Sequence, residues 1–402
     1  MAYAYRALAA ALAAGLVFAA AAHAQKRYGP GASDTEIKFG QTMPYSGPAS
    51  AYGTIGKAEA AYFRMINDQG GVNGRKLNLI SLDDGYSPPR TVEQIRKLVE
   101  DEQVLFAFQT LGTPSNTAIH KYMNGRKVPQ LFVATGATKW GDPQHYPWTM
   151  GWQPTYQHES QIYAKYLLKN RPNAKIAVLF QNDDYGKDYL KGFKDGLGDQ
   201  VSKLIVAEAS YEVTDPTVDS QIVALKASGA DVLFNITTPK FAAQAIRKVH
   251  DIGWRPLHFL NVVSTSVAAV LQPAGLDKSV GLVSVAYFKD PTDPAWKDDK
   301  AVQDYLAFMK KYYPDGNPAD AFNVYGLAVA QTLVQTLRQC GDDLTRENLM
   351  RQAANLKDVE VPMLLPGIRI NTSPTDFYPI EQVQLIRFDG KTWVRFGEIV
   401  SR

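Results

Sequence analysis

Residues 36–82 read EIKFGQTMPYSGPASAYGTIGKAEAAYFRMINDQGGVNGRKLNLISL, and this stretch decides the fold class. Residues 36–42 are an apolar-rich run of strand length. Over residues 53–68 the apolar positions Ile55, Tyr62, Met65 and Ile66 recur at helical spacing and predict one buried face. Gly70-Gly71 stops that helix, because glycine adopts the left-handed conformation of a helix C-terminus without a Cβ penalty. Asn73-Gly74 is a tight-turn dipeptide leading into a second strand over 76–82. A strand, a helix and a second strand in succession are the unit of a parallel sheet covered by helices.

The rhythm continues outward from this unit. A helix is predicted over 89–100, a strand over 104–108, a helix over 114–123 and a strand over 130–133. Further strands fall at 175–180, 204–207, 231–236 and 257–260, with helices near 158–169, 185–197, 217–228 and 239–251. Two such runs predict an α/β protein of two doubly wound lobes with parallel sheets. Helices near 298–313, 320–339 and 345–355 return toward the first lobe. Residues 381–388 and 392–399 read as a hairpin around Asp389-Gly390.

The chain has 402 residues, 45% hydrophobic and 21% charged, which is a globular balance with room for more than one core. Its net charge of +3 and lack of a Lys/Arg-rich run exclude an electrostatic nucleic-acid footprint. A single cysteine, Cys340, excludes a disulfide scaffold and reads as a small buried apolar residue. Arg6, an alanine- and leucine-rich run over 7–22 and the A-x-A pattern Ala22-His23-Ala24 form a cleavable secretory leader, residues 1–24. That run is shorter than the roughly 20 residues that span a bilayer. Export without disulfides fits a bacterial periplasm.

Catalytic signatures are missing. There is no G-x-x-x-x-G-K-[ST] or G-x-G-x-x-G loop, no G-x-S-x-G elbow and no HExxH. The histidines at 120, 145, 158, 250 and 258 lack metal-ligand spacing and read as surface or capping residues. Asp83-Asp84 and Asp183-Asp184 follow strand ends and read as helix caps and turns. No enzyme, metal or cofactor is expected.

Binding loops are better marked. In Gly112-Thr113-Pro114-Ser115, Thr113 suits a helix N-cap, Pro114 the first helical position and Gly112 a close backbone approach. The N–H groups and dipole at such a helix start favour a carboxylate. Gly136-Ala137-Thr138 follows the next strand and offers a backbone N–H and a hydroxyl. Tyr52, Trp140, Trp152, Tyr156, Tyr185 and Tyr287 lie in or beside such loops and suggest an aromatic wall for a small ligand.

Several motifs now converge: Pro44-Tyr45-Ser46-Gly47-Pro48, the run from Ile66 to Arg75, Pro129, Gly136-Ala137-Thr138 and Asn182-Asp183-Asp184-Tyr185-Gly186. In this order they resemble the periplasmic branched-chain amino-acid-binding proteins of ABC importers, over essentially the whole chain after the leader. The resemblance implies a type I periplasmic binding fold, with lobes 33–154 plus 289–372 and 155–288 plus 373–402. Three hinge strands would cross near 154, 288 and 372–380. It also implies a ligand closed into the cleft and delivered to an inner-membrane permease with cytoplasmic ATPases. The carboxylate-capturing loops match Gly112-Thr113 and Ala137-Thr138, and Tyr52 and Tyr185 match cleft-lining aromatics.

This sequence departs from the amino-acid binders where an acidic residue at a second-lobe strand end would hold the ligand's ammonium. The stretch here reads Leu260-Asn261-Val262-Val263-Ser264, with no acid. A buried ammonium without a counter-charge costs several kcal/mol. The expected ligand is therefore a carboxylate without an amine, such as a benzoate or phenylpropanoid. Asn235, Thr237, Thr238, Asn261 and Ser264 are candidates to bind its ring substituents. Branched-chain amino acids, with Asp183 or Asp184 as counter-charge, and short amides are the alternatives, as is a ligand sensor in place of an importer. A monomer is expected.

Overall fold

The computed structural model describes residues 26–402, so the leader expected at 1–24 lies outside the described residues. The unit read from residues 36–82 forms as expected: β1 (Glu36–Met43) pairs in parallel with β2 (Lys76–Asp83), and α1 (Gly53–Asp68) lies between them in sequence. Gly70 and Gly71 hold φ of 99° and 78° where the helix stops. Ile55, Tyr62 and Ile66 are buried on α1, and Met65 is half-buried.

Helix α2 (Pro88–Arg96), β3 (Ala107–Phe108), α3 (Thr113–Gly125), β4 (Gln130–Val133) and β5 (Thr149–Gly151) complete the first sheet, in the parallel order β2-β1-β3-β4-β5. Its core is aromatic, with Phe39 stacked on Phe106 at 5.0 Å and edge-on to Phe63.

The second sheet begins after α4 (Tyr156–Asn170). It contains β6 (Ile176–Gln181), β7 (Ile205–Tyr211), β8 (Val232–Ile236), β9 (Leu257–Leu260) and β10 (Val283–Ala286). Helices α5 (Asp184–Leu197), α6 (Asp219–Ala227) and α7 (Pro239–Asp251) connect them. The strand expected at 204–207 extends to Tyr211. Exposed and half-buried residues alternate along this edge strand, so it has no continuous apolar run to mark its length.

After β10 the chain returns to the first lobe. There α8 (Lys300–Tyr312) and α9 (Ala321–Cys340) pack on α1, and α10 (Arg346–Ala353) packs on α9. Gly326 on α9 permits the α1 contact, since a Cβ there would meet Ile55 O at 2.8 Å. The expected hairpin, β11 (Gln382–Phe388) and β12 (Trp393–Ser401), is antiparallel and closes the second sheet in the order β12-β11-β10-β9-β8-β6-β7. The chain thus passes between sheets three times, through residues 152–155, 287–289 and 371–381.

Cys340 is buried and unpaired. The histidines differ from expectation: His120, His158 and His258 are buried, while His145 is exposed and His250 half-buried. Burial pushes the imidazoles of His120 and His158 down to about 4 and that of His258 to about 3, so all three are neutral packing groups at neutral pH. Among the described residues no helix is long and apolar enough to cross a membrane.

Candidate functional site

Parallel sheets present ligand sites beyond the carboxyl ends of their strands. Here a cavity lies between the lobes at those ends. The first lobe contributes Leu111, Gly112, Thr113 and Ala134. The second contributes Tyr156 at the start of α4, Thr238, Val262, Val263 and Thr265, and the crossings add Gln153, Tyr287 and Phe288. Six tyrosines line it: Tyr52, Tyr86, Tyr156, Tyr185, Tyr287 and Tyr325. None of its lining residues is Asp, Glu, Lys, Arg or His. Burial raises all six phenols, Tyr156 to about 12, so the wall is neutral at physiological pH.

The polar demand of this wall is concentrated in a few atoms. Tyr185 Oη and Gln153 Nε2 are buried without a hydrogen-bond partner, and a buried polar group left unpaired is costly. Close by is the start of α3, whose first-turn N–H groups have no intrahelical acceptor. The helix begins one residue earlier than its sequence suggests. Gly112, with φ 97°, is the N-cap and Thr113 already helical, because the positive φ turns the chain sharply into the helix. Instead of capping, the Thr113 hydroxyl pairs with that of Thr135 at 2.6 Å. The Tyr156 hydroxyl lies beside both threonines and the Gly136 N–H.

The family model for periplasmic binding proteins matches residues 36–392. The chain belongs to the periplasmic binding protein family. A Leu/Ile/Val-binding protein homolog 1 from Brucella abortus is 26% identical over 332 residues, covering 79% of this chain and 82% of its own. A branched-chain amino acid ABC transporter protein from Thermus thermophilus with bound valine superposes with a TM-score of 0.82 at 15% identity, covering 92% of this chain and 98% of the other. A solute-binding protein of an ABC transporter from Rhodopseudomonas palustris, in complex with 3,4-dihydroxybenzoic acid, gives 0.75 at 19% identity over the same shares. The two superpositions establish the two-lobed type I fold. This is a periplasmic substrate-binding protein of the ABC-transporter type, from a family that binds solutes and delivers them to a permease.

In this binding protein the structure brings Tyr52, Gly112, Thr113, Tyr185 and Tyr287 together around the cavity. Ala137, Thr138, Thr237 and Asn261 lie outside its lining. The Thr138 N–H and hydroxyl both donate to Asp188 of α5, at 2.8 and 3.0 Å. Asn261 Nδ2 donates to the Asn235 and Thr237 carbonyls, and the Thr237 hydroxyl donates to Asn235 Oδ1. Ser264 donates to the Thr237 carbonyl, and Asn235 is engaged with His258. Trp140 and Trp152 are core residues, bonded to Thr135 and Thr332. Local sequence reading did not single out Tyr86, Gln153, Phe322 or Tyr325 as lining residues.

Three of the four acids near strand ends form the expected turns and cap, and Asp184 does not. Asp84 accepts the Tyr86 N–H and the Thr91 hydroxyl, and Asp83 accepts from Ser46 and Gly85. Asp183 caps α5 through the Tyr185 and Gly186 N–H groups. Asp184 reaches across the cleft to Lys139 at 2.7 Å and Thr117 at 3.1 Å. With Thr138–Asp188, Tyr52 Oη donating to Val263 O at 3.0 Å and Ser266 donating to Asp320 at 2.8 Å, these contacts clasp one lobe to the other.

One carboxylate stands directly behind the second-lobe wall. Glu159, near the start of α4, accepts the Tyr163 and Tyr189 hydroxyls at 2.7 Å each and the Val262 N–H at 2.8 Å, which fixes the turn that lines the cavity. Burial raises its carboxyl to about 7. Glu159 therefore takes up a proton on folding below that value, and stability falls as pH rises from its ordinary pKa to about 7, then levels off. Comparing denaturant unfolding of wild type and Glu159→Gln, the difference shifts against wild type by roughly 2 kcal/mol between pH 5 and pH 8. An identical difference at both pH values rules out the raised pKa.

Proposed function

We propose that this binding protein captures a small carboxylate carrying no amine, an aromatic acid of the benzoate or phenylpropanoid type, for delivery to an inner-membrane permease with cytoplasmic ATPases. It acts as a monomer after removal of residues 1–24. The lobes 33–154 plus 289–372 and 155–288 plus 373–402 close about the three crossings, exclude water and bury the ligand's polar atoms.

The observation that carries this reading is the lining itself. A tyrosine-rich wall suits an aromatic ring, and the start of α3 with Gln153 and Tyr185 supplies neutral donors for a carboxylate. No lining acid is present to hold an ammonium. The same fold holds valine in the T. thermophilus protein and dihydroxybenzoic acid in that of R. palustris, so the lining, not the fold, carries the argument.

A thermal-shift panel tests it. A ligand at about 100 times its Kd adds roughly 2.7 kcal/mol, and aromatic acids are expected to raise the Tm by several degrees. A response to leucine, valine or short amides without one to aromatic acids sinks the proposal. Within the site, Tyr185→Ala is expected to weaken binding at least tenfold, about 1.4 kcal/mol. Calorimetry giving unchanged affinity removes Tyr185 from the site.

A further inference from the structure

A second chamber lies behind the far wall of the cavity between the lobes. Val262, Thr265, Phe288 and Ala321 line the cavity on one side and this chamber on the other. These four residues, three apolar and one a threonine whose hydroxyl is satisfied by the Val262 carbonyl at 2.9 Å, form the boundary between the chambers, called the neck below.

Beyond the neck the character of the wall changes. The second chamber is lined by Val285, Leu365, Ile386, Trp296 and Trp393, with no tyrosine. Its ionisable side chains are engaged. Asp290 accepts the Thr292 N–H and hydroxyl, Asp293 accepts the Ala295 N–H, and the Arg395 guanidinium lies 4.2 Å over the Trp296 ring. Trp393 Nε1 donates to Thr265 O at 2.8 Å, so that indole is satisfied and presents hydrocarbon. The first chamber is polarised in the opposite sense. Its unpartnered Gln153 amide also borders the small recess of Thr135, Gly136 and Ala137, away from the neck residues.

We propose that the second chamber is a subsite for the apolar end of an elongated ligand. An acid group sits among Gln153, Tyr185 and the start of α3, and an alkyl or aryl extension passes the neck at Phe288 into the tryptophan-lined space. The ligand class is then an amphipathic carboxylate longer than benzoate, its ring or chain continuing for several carbons. This rests on the carboxylate reading of the first chamber. The extension adds affinity by burying hydrocarbon, and it leaves the donors at the polar end unchanged.

The experiment is a calorimetric series of benzoate and its 4-methyl, 4-ethyl, 4-propyl and 4-butyl derivatives. Each added methylene that enters the chamber is expected to tighten binding about fourfold, from about 0.8 kcal/mol per buried methylene. Leu365→Phe fills the chamber and Trp296→Ala, at a half-buried site, removes part of its wall; neither residue lines the first chamber. Both variants are expected to bind benzoate as wild type does and to lose most of the gain with chain length. Affinity that stays flat or falls along the series, with benzoate still bound, overturns the second chamber alone. A gain that persists undiminished in both variants overturns it too. Binding by no acid in the series overturns the carboxylate reading of the cleft together with this inference.

Discussion

3-Phenylpropanoate is expected to bind at least about 100-fold more tightly than phenylalanine when the two are titrated side by side at pH 7. The pair share ring, chain and carboxylate and differ in one α-ammonium. That ammonium has to leave water for a cavity whose lining holds no Asp or Glu. The acids around it are committed: Asp183 to the α5 N-terminus, Asp184 to Lys139 and Thr117, Glu159 to two phenols and the Val262 N–H. Uncompensated burial of a charge costs several kcal/mol, and a hundredfold loss corresponds to about 2.7 kcal/mol. Phenylalanine binding within tenfold of phenylpropanoate would refute the argument. It would point to Asp183, two residues from Tyr185, giving up its cap to meet the amine.

Replacing Gly112→Ala is expected to cost 2–4 kcal/mol in stability, roughly, and to weaken ligand binding more than tenfold. Two effects add. Gly112 holds φ 97°, which an L side chain rarely adopts, and a Cβ there would come within 2.5 Å of the Tyr86 ring. Tyr86 is buried and itself lines the cavity, so it cannot yield without reshaping the site. Denaturant unfolding reads the first effect and calorimetry the second. A loss below about 0.5 kcal/mol, the range of an ordinary surface change, would show that the loop accommodates the methyl.

Sequence periodicity was enough for most of the sheets, because each strand-helix pair is a local pattern punctuated by glycine, as at Gly70-Gly71, but it missed β5 (Thr149–Gly151) and β10 (Val283–Ala286), which are too short to show a period. It shortened β7, where alternation at an exposed edge hides the strand end. At the site, Tyr52, Tyr185 and the Gly112-Thr113 loop were legible because they sit at the starts of helices marked by glycine. Phe322 and Tyr325 were not. They lie on α9, which reaches the cleft only after the chain has built the second lobe and crossed back. Thr138 and Asn261 have the chemistry of ligand contacts, but their partners, Asp188 in one case and the Asn235 and Thr237 carbonyls in the other, are far off in sequence. The buried histidines follow the same logic: His120 lies against Trp140 and Tyr146, a contact set by tertiary packing.

The clasp between the lobes has a bearing on selectivity. Thr138 with Asp188, Lys139 and Thr117 with Asp184, Tyr52 with Val263, and Ser266 with Asp320 are pairings of protein with protein. Whatever they contribute to closure, they contribute equally for every guest. Discrimination is a difference between two binding free energies, so this common part cancels. The clasp governs how tightly the protein holds anything, while the choice among guests is left to the uncharged wall they touch.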